Sequence, residues 1–146
     1  MTTNMKYCHT EIIIHAPISK VWNILLDVDR YPDWNPSVAK VWGTLKEGRL
    51  IFAHILPLKN VFPLQIVSLK EEEELIWKGT VLSSGIMKGE HYYQLKDLGN
   101  GKTELQHGER FTGLVSPFIP AFLISKMQAN YKYHNQKLKV IAEQDN

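Results

Sequence analysis

The segment Ile12–Pro36, IIIHAPISKVWNILLDVDRYPDWNP, changes its physical character twice. It opens on Ile12, Ile13 and Ile14, a β-branched run suited to an extended strand of about Cys8 to His15. The period then changes. Ile18, Val21, Trp22 and Leu25 fall at i, i+3, i+4 and i+7, one face of a helix. Pro17 suits the first helical turn, where a missing N–H costs nothing. Pro32 disfavours helical geometry at Tyr31, so the helix is expected to end before it. The remaining word, YPDWNP (Tyr31–Pro36), reads as an ordered cap. Its prolines stop the helix and stiffen the chain, and Asp33 and Asn35 can bond nearby backbone. Trp34 is expected to anchor it by packing near one end of a sheet, with ligand contact as the lesser alternative.

Downstream of the cap, the chain to Thr112 reads as strands joined by short turns. The candidates are about 37–45, 49–56, 61–71, 75–82, 87–97 and 103–112, which with the first strand makes seven. Lys46-Glu47-Gly48, Ser83-Ser84-Gly85 and Asn100-Gly101 are turn signals, the last because both residues tolerate positive φ. Turns this short require antiparallel neighbours. From Pro117 or Pro120 to Glu143 the pattern is helical again. Leu123, Met127, Tyr131, His134, Leu138 and Ile141 form one stripe. About 24 residues give roughly 36 Å, long enough to cross the concave side of a twisted sheet. Strand, helix, six strands and long helix make an α+β chain.

The bulk composition narrows the function classes. At 146 residues the chain is expected to form a single domain spanning 1–146. A net charge of +2, with no Lys/Arg stripe, makes no case for nucleic acid. The one cysteine, Cys8, cannot form an internal disulfide and is read as a small residue of the first strand. The opening MTTNMKYCHTE lacks the apolar core of a signal peptide. The longest apolar stretch, VSPFIPAFLI, is broken by two prolines and is too short to span a bilayer. The expectation is a cytoplasmic protein with no integral membrane segment. The six histidines show no metal-ligand spacing, and there is no phosphate loop, G-x-S-x-G elbow or H-E-x-x-H word. No metal and no cofactor are expected.

Three stretches carry a family resemblance. Ile12–Pro36 is similar to the opening strand, helix and Tyr-Pro-x-Trp-Asn-Pro word of the START-like, or SRPBCC, superfamily. ELIWKGT (Glu74–Thr80) resembles its middle strand, and GEHYYQL…GNGKTELQHGERFTGL (Gly89–Leu114) its last hairpin, with a His-Gly-Glu-x-Phe-x-Gly word. The nearest groups look like the polyketide cyclase/dehydrase-type and carbon-monoxide-dehydrogenase-G-like proteins. The resemblance implies a helix-grip fold, in which a seven-stranded antiparallel sheet wraps around a long C-terminal helix and a short helix follows strand one. It also implies a container for lipids, sterols, polyketides, quinones or hormones, with no catalytic residue common to the group. Fold and function are therefore argued separately.

Alternation selects the lining of such a container. In the last strand Leu105, His107, Glu109 and Phe111 share one face, while Glu104, Gln106, Arg110 and Thr112 share the other. The first face holds the large apolar residues and is expected to point inward. His91 and Tyr93 go inward with Leu95, and Trp77 with Leu75, Gly79 and Val81. The helix adds Met127, Tyr131 and His134. The candidate ligand-binding set is Trp77, His91, Tyr93, His107, Glu109, Phe111, Met127, Tyr131 and His134, with no catalytic residue assigned. Within that set His134 reads first as a satisfied core histidine, and Met127 and Tyr131 first as core. A buried Glu109 must be paired, with a histidine as the candidate partner, or protonated, or wetted by a cavity.

Outside that set, KEEEEL (Lys70–Leu75) reads as a solvated hairpin end. SSGIMKG is a candidate loop near the cavity mouth, and GLVSPFIPAFL (Gly113–Leu123) a buried lead-in to the helix, with a lipid-touching entrance as the alternative. Three functions fit. The preferred one is a non-enzymatic binder of a hydrophobic or amphipathic small molecule, with His107 and Glu109 at its polar end. The second is a polyketide cyclase or dehydratase using His107 or Glu109 as acid and base. The third is a module assisting another protein.

Overall fold

A computed structural model describes residues 6–81, 83 and 85–144. Leu82, at the expected end of one strand, and Ser84, inside an expected turn and loop, lie outside the described residues, as do the first five residues. The elements run β1 (Lys6–Ile14), α1 (Ile18–Leu26), a 3₁₀ helix (Val28–Asp33), β2 (Val38–Trp42), β3 (Leu50–Ile55), β4 (Asn60–Lys70), β5 (Glu74–Val81), β6 (Met87–Gly99), β7 (Lys102–Thr112), a second 3₁₀ helix (Ser116–Phe118) and α2 (Ala121–Ala142). The strands form one seven-stranded sheet ordered β1-β7-β6-β5-β4-β3-β2, each neighbour antiparallel. With the long helix packed against it, this is the α+β helix-grip fold.

The period change near Pro17 is realised as expected. Val21, Trp22 and Leu25 are the buried face of α1, and Pro17 stands at its N-terminus. The stop differs from expectation. The α-helix ends at Leu26, but Tyr31 and Pro32 lie inside a 3₁₀ helix. The tighter turn tolerates the proline, and Tyr31 repairs the broken ladder by donating its hydroxyl to the Leu25 carbonyl at 2.6 Å. Asn35 accepts the amide hydrogens of Ser37 and Val38, which starts β2. Trp34 is 2% exposed, edge-on to Tyr31 and His134.

Helix α2 crosses the concave side from one sheet edge to the other. Lys139 bonds the Ile13 carbonyl on β1, and Asn130 bonds Ser37 just before β2. Its 22 residues give a rod of about 33 Å. The fully buried face is Tyr131, His134, Asn135, Leu138 and Ala142, and Ile141 packs partly buried against the core, so the expected stripe is corrected at its N-terminal end. Leu123 is 40% exposed, and Asn135 and Ala142 take inner positions. Leu123 lies in the first turn of α2, beside the exposed lead-in at the end of the sheet, where the strands no longer cover it.

The lead-in Gly113–Leu123 is not buried. Leu114, Phe118 and Phe122 are 75%, 80% and 69% exposed. Bonds from the Leu114 and Val115 amides to the Gly85 and Ile86 carbonyls fasten the segment along the end of the sheet rather than over its face. No described helix is long and apolar enough to cross a membrane.

Candidate functional site

Strand register sets the site. Trp77, His91, Glu109 and Cys8 occupy one cross-strand rank over β5, β6, β7 and β1; Leu75, Tyr93, His107 and Thr10 occupy the next. Directly opposed residues on antiparallel strands share a face, so each rank presents its side chains to α2. Trp77 stacks on His91 at 4.7 Å between ring centroids. His107 lies between two tyrosines, stacked on Tyr93 at 4.7 Å and on Tyr131 of α2 at 4.3 Å.

Hydrogen bonds order the protons of this cluster. The Thr10 hydroxyl donates to the His107 carbonyl, and so accepts from the Asn135 amide nitrogen at 2.8 Å. That turns the Asn135 carbonyl oxygen toward His107 Nδ1, 2.7 Å away, which must carry hydrogen. Nε2 of a neutral His107 is then an acceptor, and it takes the Nε2–H of His91 at 2.8 Å. Burial drives the charged forms out, lowering His91 and His134 well below the usual histidine range and His107 to about 3. A contact between two imidazole nitrogens requires at least one neutral ring to accept. His134 completes the cluster through a 2.8 Å bond between its Nε2 and the Tyr93 hydroxyl.

Beside this cluster lies a cavity of about 430 Å³. One side is apolar, with Val38, Ile55, Leu58, Phe62 and Leu64 from β2 to β4 and their connections. The other carries Trp77, His91, Tyr93, Glu109, Tyr131 and His134. Glu109 receives the Tyr131 hydroxyl at 2.5 Å. Burial pushes its carboxyl up to about 7, opposed by that hydrogen bond. Gly89 makes room for it, since a Cβ there would stand 2.5 Å from Glu109 Oε2.

Of the nine candidate residues, Trp77, His91, Tyr93, Glu109, Phe111, Met127, Tyr131 and His134 line the cavity. His107 does not. It is fully buried, one layer deeper, beneath the Tyr131 ring. Alternation assigns a face of the sheet but not the depth beneath a helix. Glu109 is met by a tyrosine rather than a histidine. Sequence reasoning missed Asn135 and Thr10, which fix the His107 proton. The available signal was Asn135 at i+4 from Tyr131 and i−3 from Leu138, which puts it on their face. Cys8 is buried, and burial pushes its thiol up to about 11, as for an inert structural cysteine. Among the described residues no group of three His, Cys, Asp or Glu side chains could hold a metal ion.

The sequence profile of the polyketide cyclase/dehydrase and lipid transport family matches residues 7–143. The chain belongs to this family. Of the two groups that the sequence resembled, the match thus falls on the polyketide cyclase/dehydrase side. Solved structures share the fold of this polyketide cyclase/dehydrase-family chain at low identity. A hypothetical protein from Helicobacter pylori superposes with a TM-score of 0.79 at 13% identity, covering 97% of this chain and 89% of that one. A START superfamily protein from Mycobacterium smegmatis gives 0.73 at 17% identity, covering 94% and 97%. The Zhui aromatase/cyclase from a Streptomyces species gives 0.68 at 19% identity, covering 95% and 94%. None of the curated proteins matches the chain. At these identities the likeness speaks for the fold, and chemistry has to be argued from the cavity.

Proposed function

We propose that this polyketide cyclase/dehydrase-family chain binds a hydrophobic or amphipathic small molecule, of lipid, isoprenoid, quinone or polyketide type, between the sheet and α2. One observation carries the reading: a largely apolar cavity of about 430 Å³ onto which His91, Glu109, Tyr131 and His134 converge. That size falls within the usual range of small-molecule sites, and convergent polar groups in an apolar pocket orient a ligand. The apolar body of the ligand would lie against Val38, Phe62 and Leu64, and its polar end against Glu109 and His91. His107 supports this wall from behind by holding His91. Native mass spectrometry of the purified protein tests the proposal. A co-purifying apolar molecule, displaced by an added fatty acid or aromatic polyketide, is expected. Repeatedly empty spectra, with no uptake of either probe, would refute it.

Glu109 favours a second reading, a cyclase or dehydratase. A carboxyl raised to about 7, on a cavity wall and held by Tyr131, is suited to taking a proton from carbon beside a ketone and returning it to oxygen. In that reading the base is Glu109, and His107 positions His91 without touching substrate. Glu109→Gln should then abolish turnover of a polyketone while leaving its binding intact. Equal turnover in the variant removes Glu109 from the chemistry.

A further inference from the structure

Because neighbouring strands are antiparallel, the 56–59 turn, Gly85 and Ile86, and the lead-in to α2 all emerge at one end of the sheet. This is the cavity's mouth. Leu58 lines the cavity and is also 65% exposed. At the same end, in the lead-in and first turn of α2, Leu114, Phe118 and Phe122 are 75%, 80% and 69% exposed. Phenylalanines this exposed contribute nothing to a core, and a cluster of them marks an interaction surface.

Charge says what covers it. Across the lead-in and the first half of α2, Phe111–Lys132, the chain carries Lys126 and Lys132 and no carboxylate, although it holds 15 carboxylates in all. The other mouth segments, Ile55–Pro63 and Gly85–Gly89, add Lys59 and Lys88, again with no carboxylate. An apolar rim flanked only by lysines is complementary to an anionic lipid surface, where rings enter the acyl boundary and ammonium groups meet phosphates. A two-fold contact between copies would instead bring the same lysines face to face.

We propose that the mouth formed by Leu58, Leu114, Phe118 and Phe122 docks on an anionic membrane surface. The cavity would then open toward the bilayer interior, so that an apolar ligand could pass between lipid and protein without crossing water. Docking depends on the rim and not on the cavity being filled. Its failure is therefore separable from failure of the ligand-binding reading, which mass spectrometry tests alone.

The test is co-sedimentation of the full chain with vesicles of phosphatidylcholine, with and without phosphatidylserine, at low and high salt. Binding to the phosphatidylserine vesicles that weakens with salt is expected. The double variant Phe118→Ser/Phe122→Ser should lose about tenfold or more in partitioning, with unfolding temperature unchanged because both rings are exposed. Lys126→Glu should weaken binding to the anionic vesicles specifically. Val140→Ser, an equally exposed apolar site near the far end of α2, should bind like the parent. The proposal is overturned by failure to bind either vesicle, by equal loss in Val140→Ser, or by a dimer that dissociates when Phe118 is replaced.

Discussion

Tyr131 on the long helix donates a 2.5 Å hydrogen bond to Glu109 on the last strand, joining the two halves of the cavity wall. Each partner changes the other. Burial raises both, and the Glu109 charge pushes the Tyr131 hydroxyl higher, while that hydroxyl draws the Glu109 carboxyl back down.

Tyr131→Phe should therefore move the Glu109 carboxyl above about 7, because desolvation remains and its opposing hydrogen bond is gone. A carbon-13 titration of the Glu109 side chain measures this. An unchanged or lower midpoint would show that the bond does not form in solution.

Glu109→Gln should raise stability at pH 8. The folded carboxyl ionises at about 7 and the free one near 4.5, so between these values the folded state keeps a proton that the unfolded state has released. Stability from this group is thus present below pH 4.5 and is lost as pH rises through 7. The difference is on the order of 3 kcal/mol. Urea unfolding of parent and variant at pH 4.5 and pH 8 reads it as a gap that opens with pH.

The three buried histidines act in the opposite direction. His91, His107 and His134 stay neutral when folded, whereas the unfolded chain takes up protons near pH 6.5. Stability from these groups is present above pH 6.5 and is lost as pH falls. Three groups outweigh one carboxyl, so net stability should drop from pH 6.5 to 5 by about 1 kcal/mol or more per unit. Denaturant midpoints across that range provide the measurement, and a flat profile would contradict neutral burial.

Asn135 sets a proton position that spectroscopy can see. Nitrogen-15 spectra should show hydrogen on Nδ1 of His107 and on Nε2 of His91. Asn135→Ala leaves the His107 Nδ1–H without its partner and should cost about 1–3 kcal/mol. It should also scramble both tautomers, an effect that a merely looser helix would not produce.

Trp34→Ala should cost about 3–5 kcal/mol, because a fully enclosed ring leaves a cavity between Tyr31 and His134. Leu114→Ser, on the exposed rim, should shift unfolding by less than about 0.5 kcal/mol. Chemical denaturation compares the pair directly.

Much of the fold was legible because backbone period is a local property. Ile12–Pro36 alone announces a strand, a helix and a stop, and alternation in Leu105–Phe111 marks its inner face. Strand alternation placed five of its six candidate residues on the cavity wall, and the helical stripe placed all three of its own. Alternation could not separate His107 from Glu109, since both point the same way from one strand and only the Tyr131 ring overhead decides which is covered.

Local pattern by itself determined the order of elements, the inward faces and the chemical types available there. Only tertiary structure decided depth, partnership and exposure: that Asn135 directs the His107 proton, that Glu109 answers to a tyrosine, and that Phe118 and Phe122 stand in the open. The physical reason is separation along the chain. Facing direction follows from a residue's own neighbours, whereas burial and hydrogen-bond partners come from α2, which lies far away in sequence and reaches these strands only once the chain has folded.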